Sequence, residues 1–169
     1  MLTKNINFKN FKLKKNNKKI TNDLKLLLAK DNILLRSLGV NYQNSYSKKI
    51  IKKFKKYFQV RVIGMGGSIL GAESIYNFLK HKIRKNFSFI NNLQSKINVS
   101  NIKKNYINLI VSKSGNTLET ISNVNILIKN KDKNIFITEN KSSYLSKLAE
   151  KLKAEIVHHN NFIGGRYSV

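Results

Sequence analysis

Apolar and polar positions change rhythm along this chain, and each change marks an expected element. Residues 1–19 are polar and rich in lysine and asparagine, the pattern of a mobile arm or a frayed first helix. From Ile20 to about Leu38 the positions Leu24, Leu27, Leu28, Ile33, Leu34 and Leu35 recur near helical spacing. Thr21 or Asn22 is the expected cap, and Gly39 the stop. A second helix is expected from about Ser45 to Tyr57, with Ile50, Ile51, Phe54 and Phe58 on its apolar face. Short apolar runs then alternate with helical patterns. The runs are Val60–Ile63, Phe87–Ile90, Ile107–Val111, Asn134–Thr138 and Glu155–His158; the helices between them are expected at about Leu70–Ile83, Leu118–Lys129 and Ser143–Leu152. A weaker stretch between Phe89 and Tyr106 reads as a short helix or loop. Strands that are apolar throughout and alternate with helices imply a parallel sheet covered on both faces. Right-handed crossovers make that a doubly wound α/β domain. The expected organisation is therefore a basic arm with amino-terminal helices over residues 1–57, then a five-stranded α/β domain over 58–169.

In an open parallel sheet, ligands bind beyond the carboxyl ends of the strands. Three unusual segments fall there. Gly64-Met65-Gly66-Gly67-Ser68 follows the first strand and precedes a helix. Its glycines allow a tight turn and a close approach to an anion, and Ser68 is placed to cap the helix. It is neither a Walker A loop nor a dinucleotide fingerprint. A tight strand-to-helix connection explains it equally well. Ser112-Lys113-Ser114-Gly115-Asn116-Thr117 follows the third strand. Asn116 with Glu119 fits a capping box, which leaves the hydroxyls of Ser112, Ser114 and Thr117 for the several acceptor oxygens of a phosphate. Lys113 is either its counter-charge or a solvated lysine. Gly164-Gly165-Arg166 follows the fifth strand, and Arg166 is a guanidinium in a lysine-dominated chain. His158 and His159 are neighbours on a strand, so they face opposite ways and do not act as a pair. His81 has no motif around it.

Composition narrows the classes. The chain has 169 residues with 41% hydrophobic, enough for one domain with a core. It has no cysteine, which excludes disulfides, thiolate metal sites and cysteine nucleophiles. No apolar stretch is long enough to span a membrane, the start does not read as a secretory signal, and a cytoplasmic location fits. The formal charge of +25 suggests nucleic acid at first sight. Yet Lys, Asn and Ile supply 75 residues, Pro and Trp are missing, and only four arginines stand beside 29 lysines. All of this follows from A/T-rich coding, and nucleic-acid surfaces favour arginine, so no nucleic-acid partner is expected. The positive field still draws in anionic small molecules.

Taken in order, the motifs resemble those of the phosphoglucose isomerase family. Val62-Ile63-Gly64-Met65-Gly66-Gly67-Ser68-Ile69-Leu70-Gly71 is similar to the family's first signature. Val111-Ser112-Lys113-Ser114-Gly115-Asn116-Thr117-Leu118-Glu119-Thr120 is similar to its second, and Gly164-Gly165-Arg166-Tyr167-Ser168-Val169 to the Gly-Gly-Arg-Phe/Tyr-Ser stretch that follows. The resemblance covers about residues 60–169. It implies a sugar-isomerase (SIS-type) domain, with Ser68, Ser112, Lys113, Ser114 and Thr117 on the phosphate of glucose 6-phosphate or fructose 6-phosphate, and Gly67 against the sugar. It gives Arg166 the task of steadying an enediol-like intermediate. No metal or cofactor is implied, and the longer family enzymes are usually homodimers. The family's glutamate base, ring-opening histidine and late lysine have no match here, so the chain reads as an amino-terminal portion that isomerises poorly alone. A stand-alone phosphosugar-binding or sensing domain is the alternative, and an isomerase also acting on mannose phosphate is a third reading.

Overall fold

The computed structural model describes residues 17–30, 32–93 and 105–164. Residues 1–16 of the expected arm, residues 94–104 and the segment from Gly165 onward, Arg166 included, lie outside the described residues, while the end of the arm from Asn17 to Lys19 opens the first helix. The chain divides into two compact units, residues 1–42 and 43–169.

In the first unit the single expected helix is two: α1 (Lys18–Ala29) and α2 (Ile33–Ser37). The cap is Asn17, not Thr21 or Asn22. Its side chain accepts from Lys19 N at 3.0 Å, while the Thr21 hydroxyl donates back to Asn17 O. Lys30 is extended, and Asn32 restarts the helix by accepting from Leu34 N at 2.8 Å. No described residue of either helix is buried, and Leu24, Leu27, Leu28, Ile33 and Leu34 of the stripe are exposed.

The second unit begins with α3 (Lys48–Phe54), capped by the Ser47 side chain and shorter than expected. There follow β1 (Gln59–Gly64), α4 (Leu70–Leu79), β2 (Asn86–Ile90), β3 (Tyr106–Val111), α5 (Leu118–Leu127), β4 (Lys133–Glu139), α6 (Tyr144–Lys151) and β5 (Glu155–His159). The five strands are all parallel, in the order β2-β1-β3-β4-β5. The doubly wound α/β sheet expected from the strand–helix alternation is thus present, with its winding reversing between β1 and β3.

On one face Ile63, Ile110 and Phe136 pack against Val124 and Leu127 of α5 and Leu145 and Ala149 of α6. On the other, Tyr76 of α4 meets Phe87 and Phe89, with ring centroids 4.9 and 5.7 Å apart. The first face also buries a polar row that the register aligns: Arg61 beside Asn108 beside Asn134. Arg61 Nε donates to Asn108 Oδ1 at 2.8 Å, and Nη2 to the Leu127 carbonyl at 3.1 Å. Asn108 Nδ2 donates to Asn134 Oδ1 at 2.7 Å. Burial pulls the Arg61 pKa below its ordinary value, with Tyr106 and Asp132 opposing the shift.

Candidate functional site

The first two predicted segments come together at the point where the winding reverses. Gly64 ends β1 directly opposite Val111, the last residue of β3. A Cβ at Gly64 would stand 2.9 Å from the Val111 carbonyl oxygen, so only glycine lets the strands pass this closely. The loops that follow both strands therefore leave the sheet side by side. After β1 the chain makes a 3-10 turn over Gly66–Ser68, with Gly66 at φ 56°, and α4 begins at Leu70. Gly67 and Ser68 are half-buried in that turn.

After β3, Ser112 is buried and its Oγ lies 3.1 Å from Thr117 Oγ1. Ser114 Oγ lies 3.4 Å from the same Thr117 hydroxyl and accepts from Asn116 N at 3.2 Å. The three hydroxyls singled out in the sequence are one cluster, with Thr117 at its centre. Gly115 takes φ 65° to turn the loop.

Both expected helix caps are corrected by the structure. Ser68 does not cap α4: Ile69 occupies the cap position and has no side-chain hydrogen bond to give. Asn116 and Glu119 form no capping box: Thr117 occupies the cap of α5 without a cap hydrogen bond, because Asn116 Oδ1 reaches across to accept from Tyr144 N at 2.8 Å. By contrast α1, α2, α3 and α6 are all capped by side chains, α6 through a full Ser143–Ser146 capping box. The helices left open are the two that start at the reversal point. Uncapped amino-terminal N–H groups and the positive end of the helix dipole make such a place suited to an anion.

Lys113 is not a freely solvated lysine. Its ammonium is 3.2 Å from Glu139 Oε1 and donates to the Asn161 carbonyl at 2.9 Å. Glu139 ends β4, and its other oxygen is 2.6 Å from Lys141 Nζ. The hydrogen bond from Lys141 and then that from Lys113 hold the Glu139 carboxyl below its usual pKa, against the opposing effect of burial. Sequence reading missed Glu139. The signal was there: a carboxylate at a strand end in a chain with eight acidic residues.

Of the third segment only Gly164 is described; Arg166 lies outside the described residues. His158 is exposed, and half-buried His159 has Nδ1 2.8 Å from the Asn160 carbonyl. Among the described residues no three His, Asp or Glu side chains gather to hold a metal, and no helix is long and apolar enough to cross a membrane.

A parallel sheet in this order, with hydroxyl-bearing loops at its reversal point, makes this a doubly wound α/β domain with a candidate ligand site at the carboxyl ends of its strands. Its fold is shared with a hypothetical protein of Thermus thermophilus, at TM-score 0.59 and 17% identity over 71% of this chain and 33% of that one. The Vibrio vulnificus NanR protein, solved in complex with ManNAc-6P, shares it at TM-score 0.51 and 19% identity over 71% of this chain and 46% of that one. No family model matches the chain. In sequence the chain is related to the glucose-6-phosphate isomerases, and the resemblance drawn from its motifs is borne out. It is 36% identical over 150 residues to that of Methanocaldococcus jannaschii, covering 82% of this chain and 36% of the relative. It is 38% identical over 136 residues to that of Borreliella afzelii, covering 69% and 25%. The chain thus spans about a quarter to a third of the length of these relatives.

Proposed function

We propose that this chain supplies the phosphosugar grip of a glucose-6-phosphate isomerase. The observation that carries the reading is the pair of uncapped helix starts beside one hydroxyl cluster at the reversal point. Ser112, Ser114 and Thr117 offer hydroxyls, Ser68 offers one from the neighbouring turn, and the N–H groups of α4 and α5 add fixed donors for a phosphate dianion. Lys113, steadied by Glu139, lends positive charge beside them. Gly67 lies against the sugar, where a side chain would intrude. In the reaction the open-chain sugar loses a proton at C2 and regains one at C1, and the carbonyl moves from C1 to C2. Arg166 carries the charge of the intermediate between those steps. The proton is moved by a base that none of the motifs in this chain supplies. The working enzyme is a cytoplasmic homodimer in this reading.

The test is a phosphorus NMR titration of fructose 6-phosphate into the chain, the Ser112→Ala variant and the Thr117→Ala variant. One hydrogen bond to a charged group contributes about 1.5–3 kcal/mol, so each change should weaken binding at least about tenfold. Unchanged affinity in both variants would remove the cluster from the phosphate site. A coupled assay on the protein extended to the length of its isomerase relatives separates the enzyme from a binding module, since turnover there supports the isomerase and binding without it the module.

A further inference from the structure

We propose that the domain holds a second anion site, shaped for a linear polyphosphate, at the amino ends of β4 and β5. A cavity of about 340 Å³ opens there, within the range of small-ligand sites. It is bounded by the end of α3, the lead-in to β4 and the lead-in to β5. It lies at the opposite ends of the strands from the hydroxyl cluster, a β4 length of roughly 20 Å away, and does not rest on the isomerase reading.

The charge around this cavity is unbalanced. Lys53, Lys56, Lys131, Lys133 and Lys153 line it, against Asp132 and Glu155. Glu155 is already paired with Lys53 at 2.5 Å. Asp132 accepts from the Lys129 backbone N–H at 2.9 Å. The other four ammonium groups make no ion pair among the described residues. They come from three separate segments. A single phosphate, with a charge of about −2 at most, cannot neutralise all of them at once. A chain of three phosphates has both the charge and the length to reach between segments.

Lysine-rich coding alone would put lysines around many cavities, but it does not explain Lys153. That residue has φ 49°, the left-handed conformation that follows a helix end, where glycine or asparagine is the usual occupant. Its N–H bonds to Glu150 O and the next N–H to Ala149 O, so the backbone is held there. Asparagine codons are as A/T-rich as lysine codons, and the chain contains 25 asparagines. Coding bias would be satisfied by the residue that fits better. A lysine kept in a strained position at the lip of a cationic cavity points to a need for its charge.

Isothermal titration of the 169-residue chain with sodium tripolyphosphate tests this. The Lys131→Gln/Lys133→Gln pair and, separately, Lys153→Asn should each weaken binding about tenfold. Fructose 6-phosphate binding should stay as it was. Lys153→Asn should also raise Tm, because it relieves the backbone while losing the ligand. Lys80→Gln/Lys82→Gln, on the turn before the opposite edge strand β2, removes the same charge and should leave tripolyphosphate affinity within about twofold. Adenosine triphosphate binding as tightly as tripolyphosphate would identify the source as a nucleotide tail; much weaker binding would identify a free polyphosphate. Wild-type tripolyphosphate affinity in both cavity variants, or an equal loss in the Lys80/Lys82 control, overturns the proposal.

Discussion

Replacing Gly115 by alanine should destabilise the domain far more than the same change at Gly66. Both glycines have positive φ, 65° and 56°. An alanine in that region costs roughly 1 kcal/mol or somewhat more on conformational grounds alone. At Gly66 nothing lies within 4 Å of an added Cβ, so that is the whole expected effect. At Gly115 the Cβ would stand 2.1 Å from Ser143 Oγ, 2.7 Å from Ser143 Cβ and 2.8 Å from Thr138 Oγ1. Ser143 cannot turn aside freely, because its hydroxyl accepts from Ser146 N in the capping box of α6. Overpacking adds about 1–3 kcal/mol and loss of the cap about 1 kcal/mol. The sum is about 3–5 kcal/mol for Gly115→Ala, a large share of the roughly 5–15 kcal/mol that holds a typical domain. In a domain of this size that lowers Tm by roughly 10 °C or more. Urea denaturation followed by circular dichroism reads both variants, with the slope checked for constancy. Equal losses at the two glycines would mean that the Gly115 loop yields without disturbing α6, and the steric reasoning would be wrong.

Two other outcomes follow from buried and paired charge. Glu139 is held below its usual pKa, so its contribution to stability is fully present above the ordinary carboxylate range and disappears as pH falls through the folded value. Glu139→Gln should therefore be less stable than the parent at neutral pH, with the gap closing in acid; a gap independent of pH refutes the assignment. Arg61→Met leaves Asn108 Oδ1 and the Leu127 carbonyl without their donor, and each unsatisfied buried group costs about 1–3 kcal/mol. Replacing the row together, as Arg61→Met with Asn108→Val and Asn134→Val, should recover the part of that loss due to Asn108 while the Leu127 carbonyl stays without its donor, since a buried charged network is often no more stable than a packed apolar one. Failure of the triple variant to recover would show that the row carries net stability of its own.

Most of the fold was legible because strands buried on both faces and helices with one apolar stripe leave different periods in the sequence. All five strands fall within about a residue or two of where the apolar runs placed them. The first helix was misread for a local reason. The leucine spacing continues through Lys30–Asn32, but Asn32 offers its side chain to Leu34 N and starts a new helix there. The polar row Arg61–Asn108–Asn134 was invisible, since each residue looks like a lone exception within an apolar run until register sets the three side by side.

The candidate site divides in the same way. The sequence by itself determined which residue types stand beyond β1 and β3, and the order of glycines and hydroxyls there, because tight turns and hydroxyl donors are local chemistry. It also predicted caps at Ser68 and Asn116, because capping propensity is a local rule. Only the tertiary structure decided that neither caps its helix. Asn116 has a partner 28 positions away in Tyr144, and Lys113 has one in Glu139 at the end of a different strand. Those partners are neighbours only because parallel pairing brings β3 and β4 together. Spacing along a chain cannot encode a contact that depends on which strands lie side by side.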